Sequence, residues 1–436
     1  MVLEECHSEE RSDEESQRSN EILRFPQNDI GHFYLDRVLE RGELKLPFGT
    51  LLRPWQDLLR FYALGWEARS IVFYAEDGGS WVHFEGMIRQ LTGKLRRQIC
   101  YITSSPNDPV LNSRNEQIRP FYLGFGTART VLFRTLNAGV MVMTMPDLGS
   151  FHIKRSQLPV QYVYVHHSMV STHMIYRPAA FDQFDVIMCV GPHHEEEIRA
   201  REELLGLKPK TLIDHGYQRL DSILDSVAVK SRPAARGAGL AKQVLVAPTW
   251  GEDALLETCG PALMEVLLAA GHRVIVRPHP MTLKRSPKVI ASLTRRHNSN
   301  PSVSFDFNIS SEDSLAASDI MISDWSGAAF EYAFGFERPV LFVDVPRKVN
   351  NREYEKLPVP PIEVQLRDQL GAVVSPLALG DIPQTIEELC ADPQEFLDRL
   401  RSLRERWVYN VGSSGSVGAE HIAKLADGSD YGLNQT

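Results

Sequence analysis

The chain has 436 residues, 43% apolar and 24% charged, with a net charge of −9. That profile suits a globular chain of roughly two to three domains and excludes a disordered, collagen-like or coiled-coil protein. Residues 1–20 carry seven acids and two arginines, so this head reads as a solvated, disordered acidic tail and leaves no basic field for nucleic acid. The five cysteines form no CxxC pair and no zinc spacing, which reads as a reduced, cytosolic protein. The longest apolar run, residues 138–145, is of core-strand length, well short of the roughly 18 residues that span a bilayer. The first residues show neither the basic start nor the apolar stretch of a secretory signal.

In chain order, residues 51–64 space their apolar side chains at helical intervals. Trp55, Phe61 and Tyr62 with Arg53 and Arg60 would suit an interfacial face, or a face packed on its own domain. Residues 70–75 read as a buried strand, followed by a turn and a helix to about residue 90. Strands are expected at 97–103, 130–135, 140–144, 162–166 and 184–191, then a helix over 193–205. Residues 226–240, rich in small residues with Pro and Gly, read as a linker. The alternation then restarts. Strands are expected at 243–248, 273–278, 303–306, 320–323 and 339–343. Helices are expected at 262–270, 288–296, 311–317 and 325–335, with a last helical stretch over 383–408. This predicts an α/β fold of two Rossmann-like, doubly wound domains, 21–225 and 241–400, facing a cleft, with a C-terminal helix and tail over 401–436.

Ligands of open α/β sheets sit beyond the carboxyl ends of strands, so residues that directly follow strands are the candidates. His167 ends one apolar strand beside His166 and Ser168. An imidazole there is a candidate general base, the alternative being a polar strand end. Arg277 and His279, flanking Pro278, suit an anionic ligand; the alternative pairs Arg277 with a structural carboxylate. Ser323-Asp324-Trp325-Ser326-Gly327 turns a strand into a helix whose open N–H groups and glycine admit a phosphate, although ordinary capping uses the same residues. Glu331, further along that helix, faces either cleft or solvent. Thr249 and Trp250 bring a hydroxyl and an aromatic ring to a fourth strand end. No GxxxxGK[ST] motif is present, and His193-His194-Glu195 is not HExxH. Nothing sets His166, His167, His173, His193 and His194 around one centre, so neither a metal nor a cofactor is expected.

Together these segments resemble the CDP-glycerol glycerophosphotransferase family, the teichoic-acid-type and capsule-type transferases with a GT-B fold. His167-Ser168 matches the family's His-Gly. Gly216-Tyr217-Gln218-Arg219-Leu220-Asp221 is similar to its Gly-Tyr-Pro-Arg-x-Asp, and Ala247-Pro248-Thr249-Trp250 to its Ala-Pro-Thr-Trp. Pro278-His279-Pro280 and Ser323 to Gly327 resemble its strand-His-Pro and Thr-Asp-Tyr-Ser-Ser. Two departures stand out: Ser168 replaces the glycine, and Gly327 replaces the last serine. The resemblance implies a metal-independent transferase that moves glycerophosphate, or a similar group, from a nucleotide-activated donor such as CDP-glycerol to a hydroxyl acceptor in cell-wall or capsule polymer synthesis. It also implies a cytoplasmic protein, peripheral at the inner membrane face where lipid-linked acceptors lie. On this reading His167 and His279 are catalytic. Thr249, Trp250, Arg277, His279, Ser323, Asp324, Ser326, Gly327 and Glu331 hold the donor. Two other readings share the scaffold: a GT-B glycosyltransferase using a nucleotide sugar, and a non-catalytic nucleotide-sugar-binding protein.

Overall fold

Strand formation follows from short apolar runs that bury both faces. The computed structural model describes residues 48–428 apart from 147, 151, 230–239 and 309–310. The first sheet contains β1 (Ile71–Ala75), β2 (Ile99–Thr103), β3 (Ile118–Tyr122), β4 (Val140–Met143), β5 (Gln161–Val165), β6 (Val186–Cys189) and β7 (Thr211–Asp214). Its spatial order is β3-β2-β1-β4-β5-β6-β7, and every pairing is parallel. The second contains β8 (Gln243–Val246), β9 (Arg273–Val276), β10 (Val303–Phe305), β11 (Ile320–Ser323), β12 (Val340–Val343) and β13 (Gly371–Val374). Its order is β10-β9-β8-β11-β12-β13, again wholly parallel. Alternate residues feed opposite cores, as strand geometry requires. Val72 and Tyr74 pack with Leu132 and Phe133, whereas Ile71 and Phe73 pack with Phe84 and Met87. Leu245 and Met321 face one core of the second sheet, and Val244 and Ile320 the other.

Several local expectations change. Residues 130–135 are helix, within Thr127–Thr135, because Ala128, Arg129, Leu132 and Phe133 bury one helical face. Strand β3 carries Pro120, which has no N–H to give and sits on a sheet edge where none is needed. The expected linker begins inside the helix Gln218–Val229, and its residues 230–239, like the acidic head, lie outside the described residues. The stretch 383–408 is two helices, Ile382–Leu389 and Pro393–Trp407. The second begins where the Asp392 carboxylate caps Gln394 N and Glu395 N ahead of Pro393. In the helix Phe48–Tyr62, Phe61 is buried edge-on against Phe121 and the Tyr62 hydroxyl pairs with Thr135 Oγ1. These two side chains belong to the packed face. Among the described side chains of this helix, Leu52, Trp55 and Leu59 are the large apolar ones left exposed.

The chain end ties the two sheets together. Leu400 and Leu403 join the second-sheet core, and the helix Ser414–Ala426 returns to the first, burying Ala419 and Ile422 there. Gly418 permits this approach, since a Cβ there would lie 2.6 Å from Met87 Sδ and 2.8 Å from His215 Nε2. No helix among the described residues is long and apolar enough to cross a membrane.

Candidate active site

Each sheet order reverses once, between β1 and β4 and between β8 and β11. Crevices open at such reversals beyond the carboxyl ends of the strands. In the first domain β5 delivers His166, His167 and Ser168, and β4 delivers Thr144. The two histidines diverge. His166 is buried and stacks on His194 with ring centroids 3.8 Å apart. His167 is open to solvent. Its Nδ1 lies 3.0 Å from Thr144 O and 3.2 Å from the Tyr164 hydroxyl. A carbonyl oxygen only accepts, so Nδ1 carries the hydrogen and Nε2 presents its lone pair. Although part of the side chain reaches solvent, desolvation of the ring by the protein around it lowers the His167 pKa below its ordinary value, opposed by the Thr144 carbonyl, Asp77 and Glu331. The ring is therefore neutral at pH 7, the state a general base needs.

The loop after His167 is gripped from both domains. Ser171 N and Oγ donate to the buried Glu363 of the second domain, and Thr172 N and Oγ1 donate to the buried Glu197 of the first. Asn351 Nδ2 donates to His173 O, and Asn350 Nδ2 to Ile175 O. Tyr217 Oη lies 2.7 Å from Glu331 Oε1 and 2.9 Å from His167 O, and Arg219 Nε donates to Glu331 Oε2 at 2.8 Å. Glu331 thus braces the backbone of the histidine through Tyr217.

Ser168 meets the N-terminus of the helix Ala328–Phe336. A Cβ on Gly327 would fall 2.5 Å from Ser168 Oγ and 3.1 Å from Val170 Cγ1, so a larger residue there requires the Ser168 loop to shift. Beside it, Ser326 Oγ accepts from Ala328 N at 3.3 Å. The other expected donor residues divide into two groups. Ser323 and Asp324 are buried and structural: Ser323 Oγ donates to Ala247 O, while Asp324 accepts from Thr249 N and Leu255 N. Burial raises the Asp324 pKa. Arg277 takes the structural alternative, its Nη1 donating to Asp306, Ser311 O and Ser314 Oγ.

His279, Thr249 and Trp250 gather with two cations that the sequence did not single out. His279 Nδ1 accepts from Met281 N at 3.0 Å, which leaves its hydrogen on Nε2. Burial, with Lys348 nearby, pushes its pKa down to about 4, so at pH 7 it can offer a neutral N–H and not a charge. Lys348 Nζ donates to Thr249 Oγ1 at 3.0 Å and lies 3.9 Å from the Trp250 ring centroid. The Arg285 guanidinium is 4.9 Å from the same ring. Lys348 lies a short segment beyond β12, outside the residues that directly follow a strand. Tyr217 and Arg219 lie in the 216–221 segment, where the motif marked the residues but gave no hint of their partner Glu331 on a distant helix. Among the described residues no group of three or more His, Cys, Asp or Glu is arranged to hold a metal ion.

Comparison with solved structures places this cleft in a known fold. A wall teichoic acid polymerase TagF variant soaked with CDPG superposes with a TM-score of 0.52 at 14% identity, covering 87% of this chain and 95% of that one. The S. aureus MnaA–UDP structure gives 0.53 at 13% identity, with 83% and 97% covered. The UDP-GlcNAc 2-epimerase from Neisseria meningitidis gives 0.53 at 12% identity, with 81% and 99% covered. At such identities the likeness is one of fold, the two-domain GT-B arrangement. No curated protein matches the chain by sequence. The family model for CDP-glycerol:poly(glycerophosphate) glycerophosphotransferase, however, matches residues 128–351, which contain His167, Lys348 and both halves of the cleft. With just over half its length matched, the chain belongs to the CDP-glycerol:poly(glycerophosphate) glycerophosphotransferase family.

Proposed function

We propose that this chain transfers a glycerophosphate group from a CDP-glycerol-type donor to a hydroxyl acceptor in teichoic-acid-type or capsule-type polymer synthesis. The acceptor oxygen attacks the glycerol-linked phosphorus. The new O–P bond forms as the bond to the bridging oxygen breaks, CMP departs with that electron pair, and His167 Nε2 takes the hydroxyl proton. The carrying observation is the pairing of a neutral, oriented His167 with a helix N-terminus that begins where Ser168 touches Gly327. The first N–H groups of that helix bond to Ser326 Oγ, Ser326 O and Gly327 O, and the positive helix end there favours the charge that grows on the leaving phosphate. His279 Nε2–H and the Ser326 hydroxyl are donor contacts on this reading. Ser323, Asp324 and Glu331 act as supports, and Arg277 holds its own strand end.

The test is CMP release from CDP-glycerol in the presence of a hydroxyl acceptor. Release should continue in excess EDTA, since protein cations and N–H groups supply the neutralising charge. Failure to release CMP contradicts the transfer, and loss in EDTA with recovery on Mg²⁺ contradicts the electrostatics. A lipid-linked acceptor further requires peripheral membrane contact. Leu52, Trp55 and Leu59, exposed by 52%, 42% and 70%, support that contact through one helix flank. The protein should float with anionic liposomes and Trp55→Asp should reduce flotation; an unaltered variant removes the contact.

A further inference from the structure

An anionic donor needs a cation in the second domain, and Arg277 already commits Nη1 of its guanidinium to Asp306, Ser311 O and Ser314 Oγ. Lys348 is placed differently. It follows β12 by a short segment, beside the crevice between β8 and β11. Among the described residues it makes no ion pair, and its one hydrogen bond is to the neutral Thr249 hydroxyl. The Trp250 ring, 3.9 Å from Nζ, holds the ammonium by a cation–π contact. An ammonium has three donors, so the bond to Thr249 leaves others for a ligand.

We propose that Lys348 is the cation that receives the donor's diphosphate, with Thr249 and Trp250 holding its ammonium in position. This rests on the nucleotide-donor reading of the cleft and goes beyond it by assigning the charge to one residue. Trp250 becomes the platform of that cation, its ring already covered by Lys348 and Arg285.

The assignment has a signature in pH. The titratable and charged groups facing Lys348 are Asp324 beyond β11, Glu257 on the helix Leu255–Thr258, Arg285 on the helix Pro280–Arg285, and His279. Burial lowers the Lys348 pKa to about 8, with Arg285 adding to the fall and Asp324 and Glu257 opposing it. Between pH 7 and 9.5 the lysine therefore loses its charge, while His279 is already neutral and a guanidinium does not deprotonate.

The experiment is calorimetric titration with CDP at pH 7 and pH 9.5, on the full chain and two variants, each checked for an unchanged melting temperature at pH 7. Wild-type affinity should fall about tenfold or more across that range, as expected when a charge-assisted bond is lost. Lys348→Met should bind CDP at least about tenfold more weakly at pH 7 and show no further fall at pH 9.5. Lys348→Arg, whose charge persists, should keep its affinity at pH 9.5 and so separate loss of charge from loss of packing. CDP binding that is indifferent to Lys348→Met overturns the assignment alone. So does an alkaline fall that survives in that variant. A wild-type chain that binds no CDP overturns the donor reading and the assignment together.

Discussion

At the scale of residues, two adjacent histidines show how position decides chemistry. His167 and His166 leave the same strand, one into the cleft and one into the core. No described residue offers a hydrogen bond to either ring nitrogen of His166. Burial, reinforced by His194, His167, His193 and His215, holds its pKa well below 6.5. The folded ring stays neutral, whereas the unfolded ring gains a proton below about pH 6.5. Stability from this group is therefore complete above that pH and is lost as the pH falls below it. One group of this kind removes about 2 kcal/mol between pH 7.5 and pH 5. His166→Phe keeps an aromatic ring against His194 and removes the proton site. Its denaturant midpoint should fall less than the wild type's over that interval; an equal fall would show that His166 is not held neutral.

At the scale of elements, the contact between the β5 loop and the helix Ala328–Phe336 joins the two domains at the cleft. Ser168 and Gly327, the two departures from the family motif, touch each other. A Cβ on Gly327 would sit 2.5 Å from Ser168 Oγ and 3.1 Å from Val170 Cγ1. The side chain gained at one position is given room by the one lost at the other. Gly327→Ala should force the loop and the helix apart and lower kcat/KM about tenfold, a loss near 1.4 kcal/mol. Ser168→Gly in the same chain should recover most of it. A double-mutant cycle reads the coupling, and simple additivity would contradict the contact. The segment after β12 makes a second tie: Lys348 reaches Thr249, while Asn350 and Asn351 hold the backbone beyond His167.

At the scale of the whole molecule, the two parallel sheets were legible because strands buried on both faces are uninterrupted apolar runs, as in Ile71–Ala75 and Ile320–Ser323. The edges were not. Strand β3 contains Pro120, and β13 starts at Gly371 with partly exposed residues, so neither carries that signal. The Thr127–Thr135 helix was obscured by Thr130 and Val131, whose branched side chains suit strands. The strand-end rule identified His167, His279, Thr249 and Gly327 as cleft candidates, but it stopped short of Lys348. The Glu331–Arg219 pair spans 112 residues and two elements, a separation at which local pattern carries no information. The central proposal is that His167 removes the acceptor proton in a cleft whose donor site lies in the other domain. The most direct measurement is turnover, CDP affinity and melting temperature of His167→Ala on one preparation. The expected result is a fall in kcat of roughly 10²–10⁴, with folding and CDP affinity nearly unchanged. A folded, fully active His167→Ala protein would contradict it.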